Sequence, residues 1–178
     1  MLHLKSILLF SLLAVVYTKK ISNTVYIIRH GEKPDDNGQG LSPQGEERAQ
    51  CLTGVFGPSS PFDIGYILAE QPQSNGDRTR PLETVTPLAE ELGLTVDTSC
   101  DRDDSKCVAD AVDAFAKNDS TKNILICWEH DAITDIEDSL GVSKTVDYPS
   151  DSFNLIFTIQ QEKLVDTTQS ENCTGLDN

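Results

Sequence analysis

Residues 24–31 read TVYIIRHG, and residues 123–130 read NILICWEH. Each stretch is a short run of apolar residues, rich in β-branched and aromatic types, that ends at or next to a histidine. Such runs are typical of buried strands in a parallel sheet. Ligands of these sheets gather outside the carboxyl ends of the strands. The sequence therefore predicts that His30 and His130 face one crevice at the same edge of a sheet.

Helical patterns separate the predicted strands. Apolar residues recur at helical spacing in four segments, which begin at Gly45, Leu82, Val108 and Ile133. Three more short apolar runs predict strands over residues 62–69, 94–96 and 153–159, the last at a sheet edge. Strands that alternate with helices predict an α/β domain, a three-layer α/β/α sandwich around a mainly parallel sheet.

The amino terminus has the composition of a secretory signal peptide. Residues 1–18 place Lys5 before an apolar run that is shorter than the roughly 20 residues of a membrane-spanning helix. Residues 19–178 then suit a single domain. An uncleaved anchor is the alternative. Asn118 and Asn172 begin glycosylation acceptor patterns, which agrees with an expected extracellular location.

The chain is strongly acidic. It has 29 Asp and Glu against 14 Lys and Arg, for a formal net charge of −15 at pH 7. Nucleic acids and anionic membranes attract basic surfaces, so neither is an expected partner once the leader is removed. A phosphate site in such a protein needs a local cluster of arginines.

Five cysteines in a chain with a leader indicate an oxidising compartment. Cys100 and Cys107 bracket a short polar loop, and we expect them to form a disulfide. Cys127 lies inside an apolar strand and is expected to be a buried thiol. Cys51 and Cys173 remain as a candidate second bridge, although sequence alone does not fix this pairing.

The stretch RHGE at residues 29–32 is the most informative for chemistry. An arginine beside a histidine at a strand end can hold phosphate oxygens through its planar guanidinium while the imidazole attacks phosphorus. Gly31 lets the backbone approach a ligand closely. A surface ion pair is the alternative interpretation of this stretch.

Three further segments carry a resemblance to a known family. Residues 41–49 read LSPQGEERA, residues 80–84 read RPLET, and residues 128–130 read WEH. The first resembles the Leu-Ser/Thr-x-x-Gly-x-x-Gln/Arg-Ala stretch of the histidine phosphatase superfamily, the phosphoglycerate-mutase-like proteins. The second resembles that family's Arg followed four residues later by Thr, and the third occupies the place of its second His. The match covers residues 24 to about 141, and small secreted fungal members look most similar.

This resemblance implies a role for each matching residue. His30 is the nucleophile that becomes phosphohistidine, and Arg29, Arg80 and His130 form the phosphate pocket. Two guanidinium groups and a second imidazole supply enough positive charge, so no metal or other cofactor is expected. Arg78 is an alternative to Arg80, but only Arg80 has the matching Thr four residues later.

The residue that follows the second histidine, Asp131, is the candidate proton donor. Family members with His-Asp at the second histidine use that Asp as the general acid, which implies this role for Asp131. The alternative is that Asp131 only caps the helix that follows. Glu32, Glu83 and Glu129 are the next candidates.

The predicted activity is metal-independent hydrolysis of phosphate monoesters, with a small phosphorylated substrate. The short segments around the motifs leave little chain for a lid, which favours hydrolysis over a mutase or phosphotransferase reaction. A secreted binding or wall-associated protein with a weakened pocket is a further alternative. The two histidines could also be ordinary half-buried side chains. Metal binding by His30, His130, Glu32 and Asp131 is disfavoured because Arg29 would repel a cation.

Overall fold

The structure is a computed structural model that describes residues 21–35 and 38–177, so the predicted leader lies outside the described residues. Strands and helices alternate along this part of the chain. In order they are β1 (Val25–Arg29), α1 (Pro43–Phe56), β2 (Ile64–Ala69), α2 (Arg80–Leu92), β3 (Val96–Asp97), α3 (Ser105–Asn118), β4 (Asn123–Trp128), α4 (Ile133–Ser139), β5 (Leu155–Gln160) and β6 (Lys163–Ser170). A 3₁₀ turn, His130–Ala132, directly precedes α4. Within the described ranges, no helix has the length and apolar character to cross a membrane.

The strands form one mixed sheet in the order β3-β2-β4-β1-β5-β6. Strands β1 to β4 pair in parallel, whereas β5 runs antiparallel to both β1 and β6. The parallel arrangement expected from the sequence therefore applies to β1–β4 and fails for the last two strands. Because β1 and β4 are neighbours near the middle of the sheet, their carboxyl ends lie side by side.

Both faces of the central strands are buried, which explains their nearly continuous apolar sequences. Successive residues of β1 illustrate this, because Ile27 belongs to one apolar core and Ile28 to another. Helices α3 and α4 contribute side chains to the core that contains Ile27. Helices α1 and α2 contribute to the core that contains Ile28.

The carboxyl-terminal hairpin differs from the sequence prediction. The strand expected at the edge, residues 153–159, corresponds to β5, which is paired on both sides by β1 and β6. The edge is β6, a strand of alternating exposure that the sequence analysis missed. Gln161 and Glu162 form the connecting turn with φ of 51° and 61°, left-handed values more typical of Gly or Asn.

Two disulfides fasten the periphery of the domain. Cys100–Cys107 closes the loop before α3, and Cys51–Cys173 attaches the carboxyl-terminal segment to α1. Cys127 is a buried free thiol. The predicted bridge, the candidate second bridge and the buried thiol are thus all present in the structure.

Candidate active site

The ends of β1 and β4 bring the predicted site residues to one edge of the sheet. Arg29 pairs with Trp128 at the last position of the parallel register. The backbone N–H of His30 extends this ladder by donating to the Trp128 carbonyl at 3.1 Å. His130 begins the 3₁₀ turn two residues after Trp128. The shared edge predicted from the two apolar runs is therefore where the structure places both histidines.

The His30 imidazole is buried and holds one tautomer. Its Nδ1 lies 2.7 Å from the Gly31 carbonyl oxygen, which can only accept, so Nδ1 donates the hydrogen. Burial, opposed by this hydrogen bond and assisted by the positive charges of Arg29 and Arg80, lowers the pKa of His30 to about 4. The ring is therefore neutral at physiological pH, and the lone pair of Nε2 is available for nucleophilic attack.

The Arg29 guanidinium lies against a loop that follows α4. Its Nη1 donates to the carbonyl oxygens of Ser150 and Ser152, both at 2.8 Å. Its central carbon stands 3.8 Å from the centroid of the Phe153 ring, a cation–π contact. The Arg29 Nε is buried without a hydrogen-bond partner. An arginine fixed in this way retains an unused donor beside His30.

Arg80 is the first residue of α2 and contributes a second unused donor. Its Nη1 lies 3.4 Å from the Gly38 carbonyl, and its Nε is also buried without a partner. Thr84, one turn later, donates its hydroxyl to the Arg80 carbonyl and accepts from the Gly31 N–H at 2.8 Å. Thr84 thus ties the start of α2 to the loop after His30, a physical reason for an Arg and a Thr four residues apart.

Arg78 is placed differently from Arg80. Its side chain lies 3.7 Å from Glu70 Oε1 and 3.4 Å from Asp101 Oδ1, so nearby carboxylates already balance its charge. Arg80, in contrast, acts electrostatically on His30. The geometry favours Arg80 over Arg78 as the phosphate-binding arginine.

The His130 imidazole stands between two carboxylates. Its Nδ1 lies 2.7 Å from Glu129 Oε1, and its Nε2 lies 3.1 Å from Asp131 Oδ1. The Asp131 side chain is 70% exposed, whereas that of Glu129 is 23% exposed. Asp131 can therefore move away from Nε2 when a ligand arrives, while Glu129 is the more enclosed partner.

Asp131 makes no capping hydrogen bond at the start of the following helix. The residue at the N-cap of α4 is Ala132, and no side chain caps either α4 or the 3₁₀ turn before it. The geometry therefore gives no support to the interpretation of Asp131 as a helix cap. The structure instead places the Asp131 carboxyl group 3.1 Å from Nε2 of His130.

The other candidate acids already serve as acceptors. Arg48 binds Glu32 through Nε and Nη2, and the Leu41 N–H donates to Glu83. Burial alone would raise the pKa of Glu129, but hydrogen bonds from Arg102 and the charge of His130 lower it below its ordinary value. Each of these three carboxylates is therefore already engaged by a hydrogen-bond donor.

Two residues near the site were missed in the sequence analysis. Arg102, in the loop closed by Cys100–Cys107, binds Glu129 through Nε and Nη2 at 3.2 and 2.5 Å. Glu70 directly follows β2, is buried, and has a pKa that burial raises to about 7 against the lowering effect of Arg78 and Arg102. The signal for Glu70 was available, because a carboxylate directly follows a predicted strand. Arg102 offered no such signal.

The predicted alternative of a metal site involves a different set of residues in the structure. In the described ranges, the possible ligand atoms that lie within 4.8 Å of one another belong to the consecutive residues Glu129, His130 and Asp131. Glu32 is removed from this group by its bonds to Arg48. One of these three residues, Glu129, is already engaged by Arg102.

Comparison with known proteins extends these observations to the fold. No protein-family model matches the chain, and no curated protein is significantly similar to it in sequence. The protein histidine phosphatase SixA, solved with tungstate, is 15% identical, with a TM-score of 0.54 over 77% of this chain and 87% of that chain. Phosphoserine phosphatase from Entamoeba histolytica, solved with 3-phosphoglyceric acid, is 16% identical, with a TM-score of 0.52 over 83% of this chain and 96% of that chain.

A third similar structure is phosphoglycerate mutase from Bacillus anthracis. It is 14% identical, with a TM-score of 0.51 over 88% of this chain and 96% of that chain. At such identities a likeness establishes architecture and leaves activity open. The chain therefore has a mixed α/β fold that it shares with structures of the histidine phosphatase superfamily.

Proposed function

We propose that this protein is a phosphatase that hydrolyses phosphate monoesters through a phosphohistidine on His30. One observation carries the proposal: a neutral, buried imidazole with a free Nε2 lies beside two arginines whose buried Nε donors have no partner. Buried polar groups in proteins are nearly always hydrogen-bonded, so unused donors beside a nucleophile indicate a site for an anionic ligand. The phosphatases among the similar structures support the same chemistry.

The first chemical step is transfer of the phosphoryl group to the protein. The Nε2 lone pair of His30 attacks phosphorus, and the ester P–O bond breaks with its electron pair leaving on the alcohol oxygen. Asp131 gives its proton to that oxygen. Arg29, Arg80 and His130 stabilise the charge on the phosphoryl oxygens, and the proposed reaction needs no metal.

The second step restores the free protein. Water attacks the phosphorus of phosphohistidine and passes a proton to Asp131, while the P–N electron pair returns to Nε2 of His30. The products are inorganic phosphate and the starting protein. A mutase or phosphotransferase would instead deliver the phosphoryl group to a second alcohol, so the acceptor distinguishes hydrolysis from transfer.

The test is to trap the intermediate. The protein is incubated with a ³²P-labelled aryl phosphate and quenched in alkali, where phosphohistidine survives, and the labelled peptide is identified by mass spectrometry. We expect label on His30 and release of inorganic phosphate. The variant His30→Ala should fold normally yet lose both, whereas Lys122→Ala, an exposed control, should retain both. A folded His30→Ala protein with normal turnover would disprove the mechanism, and phosphate binding without label would indicate a binding protein.

We also propose that the protein is secreted and that its chain is arranged in three layers. The leader-like sequence of residues 1–18 and the two disulfides support secretion. Helices α1 and α2 share one apolar core with the sheet, and helices α3 and α4 share the other, which supports a three-layer arrangement. In a secreting eukaryotic host we expect a mature protein that begins between about Val15 and Asn23, as read by intact-mass spectrometry. Retention of Met1 would overturn the proposed location.

A further inference from the structure

Next to the proposed phosphoryl site, three side chains form a continuous chain of contacts. Arg102 binds Oε2 of Glu129 through Nε and Nη2, at 3.2 and 2.5 Å. The other oxygen of the same carboxylate, Oε1, lies 2.7 Å from Nδ1 of His130. Each carboxylate oxygen of Glu129 therefore has its own neighbour, the Arg102 guanidinium at Oε2 and the His130 imidazole at Oε1. Glu129 acts on the imidazole nitrogen that points away from Asp131.

The backbone around this chain of contacts is held from several directions. Arg102 lies in the loop closed by Cys100–Cys107, and its carbonyl accepts from Trp128 Nε1 at 3.0 Å. The carbonyl of Cys100 accepts from the N–H of Gln71, the second residue after β2. The loop is thus attached to the ends of both β2 and β4. This attachment fixes the position from which the Arg102 guanidinium reaches Glu129.

We propose that Glu129 and Arg102 are positioning residues that set the orientation of His130 at the phosphoryl site. The proposal rests on the phosphatase function proposed above. Glu129 holds the Nδ1 side of the ring, so that Nε2 is directed at the phosphoryl oxygen. Arg102 holds Glu129 in place and balances its negative charge, which would otherwise repel the substrate.

The position of Asp131 supports this assignment. Its exposed carboxylate lies 3.1 Å from Nε2 of His130, which shows that an anion can approach this nitrogen while Glu129 remains at Nδ1. In catalytic and metal sites, a carboxylate that contacts one imidazole nitrogen commonly orients the ring so that the other nitrogen faces the ligand. Nδ1 of His130 lies 2.7 Å from Glu129 Oε1 but makes no aligned hydrogen bond to it. Rotation of the imidazole about its Cβ–Cγ bond would align the two groups.

The kinetic test compares variants of Glu129 and Arg102 with a control from the same loop. Glu129→Gln should lower kcat about 10- to 100-fold with a much smaller change in KM, because the ring loses its orientation rather than its contact with substrate. Arg102→Ala should give a smaller loss of the same kind, and Arg102→Lys should restore part of it. Lys106→Ala, which removes an exposed charge from the same loop, should change neither constant.

A double variant separates a shared action from two independent ones. If Arg102 acts through Glu129, the double variant Glu129→Gln/Arg102→Ala should be no slower than Glu129→Gln alone. Additive losses, or full kcat in folded Glu129→Gln and Arg102→Ala proteins, would overturn the proposal. Wild-type labelling of His30 in that case would leave the phosphatase function intact, so the two failures are distinguishable. Where Glu129→Gln folds poorly, Glu129→Asp provides the same comparison.

A spectroscopic test needs no turnover. Long-range ¹⁵N–¹H spectra show which nitrogen of His130 carries hydrogen. With inorganic phosphate bound to the wild-type protein, we expect hydrogen on both nitrogens, with Nδ1 facing Glu129 and Nε2 facing the phosphate. In Glu129→Gln we expect hydrogen on Nε2 alone. Hydrogen on only one nitrogen of His130 in the phosphate-bound wild type would overturn the positioning role, whatever the activity of the protein.

Discussion

Two buried arginines, Arg48 and Arg29, show opposite arrangements of charge. Arg48, in α1, is almost completely buried and binds Glu32 through Nε and Nη2 and Glu171 through Nη1. Arg29, equally buried at the end of β1, binds only the neutral carbonyl oxygens of Ser150 and Ser152. The first guanidinium is surrounded by carboxylates, whereas the second keeps a positive charge with no anion bound directly to it.

The pKa values of the two arginines move in opposite directions. Burial alone would lower the pKa of Arg48, but its bonds to Glu32 and Glu171 raise it above the ordinary value. Burial lowers the pKa of Arg29, and the attraction of Tyr148 and more distant carboxylates does not compensate. A buried charge without a counter-ion is costly unless a ligand supplies one. The difference associates Arg48 with the stability of the fold and supports the anion-binding role proposed for Arg29 and Arg80.

Among the predictions that follow from this comparison, the largest effect concerns Asp131, which lies at the proposed anion site. If it protonates the leaving oxygen, Asp131→Asn should slow hydrolysis of an alkyl phosphate about 10²- to 10⁴-fold. Hydrolysis of p-nitrophenyl phosphate should slow far less, because its phenolate leaves without a proton. Steady-state kinetics on both esters measure the gap. Asp135→Asn, at an exposed position in α4, is the control, and equal losses on the two esters would exclude Asp131 as the acid.

Loss of Arg48 should destabilise the protein without a specific effect on chemistry. Arg48→Met leaves the buried carboxylates of Glu32 and Glu171 without their cation, which typically costs about 3–5 kcal/mol of unfolding free energy. Urea denaturation measures this loss. The remaining folded protein should keep a normal kcat. An unchanged unfolding free energy combined with a large fall in kcat would place Arg48 in the site instead.

Loss of Arg80 should have the reverse effect. Arg80→Ala removes a donor aimed at the phosphoryl group, and such losses cost about 10²- to 10³-fold in rate. Its unfolding free energy should change little, because Nε has no partner to lose and the hydrogen bond from Nη1 to the Gly38 carbonyl is long, at 3.4 Å. Arg78→Ala should affect kcat/KM much less, since Arg78 is paired with Glu70 and Asp101. The opposite ranking of the two variants would make Arg78 the phosphate-binding arginine.

The sequence predicted which residues meet at the ends of β1 and β4, because local patterns order them. Apolar runs identify β1 and β4, parallel pairing brings their ends together, and the residues after each run then share one edge. The pair Arg80 and Thr84 could also be predicted from the sequence. The Thr84 hydroxyl donates to the Arg80 carbonyl in the same helix and accepts from the N–H of Gly31, the residue after His30. Each of these relations depends on short spacings or on strand ends.

The Arg48 cluster and Arg102 were not predictable in this way. Glu171 is 123 residues from Arg48, and nothing in the local sequence marks either residue as buried. The hairpin that leads to Glu171 was missed because β6 is a polar strand and the turn before it lacks glycine. Arg102 reaches Glu129 only because a disulfide loop crosses the end of β4. Pairing across long separations depends on tertiary packing, which periodicity does not encode.

The smallest expected effect comes from Glu137, a buried carboxylate of a third kind. It has neither the cation that Arg48 provides nor a place at the proposed site: Val146 N–H donates to its Oε2, and its Oε1 has no partner. Burial, assisted by Asp147 and opposed by the Val146 hydrogen bond, raises the pKa of Glu137 to about 7. A carboxyl group whose pKa is higher in the folded state holds its proton longer there than in the unfolded chain. Its contribution to stability is therefore present at low pH and is lost as the pH rises through about 7.

The variant Glu137→Gln removes this titration while keeping the shape and the acceptor for Val146. Between about pH 5.5 and 7.5, the unfolding free energy of the wild type should fall by about 2 kcal/mol relative to the variant. Glu70 titrates in the same range, so the difference between the two proteins, rather than either curve alone, carries the result. Urea denaturation at several pH values measures it, with Asp138→Asn as an exposed control on the same helix. Parallel curves for wild type and Glu137→Gln would show that Glu137 is ionised in the folded protein, and that burial without a cation does not protonate a carboxyl group at this position.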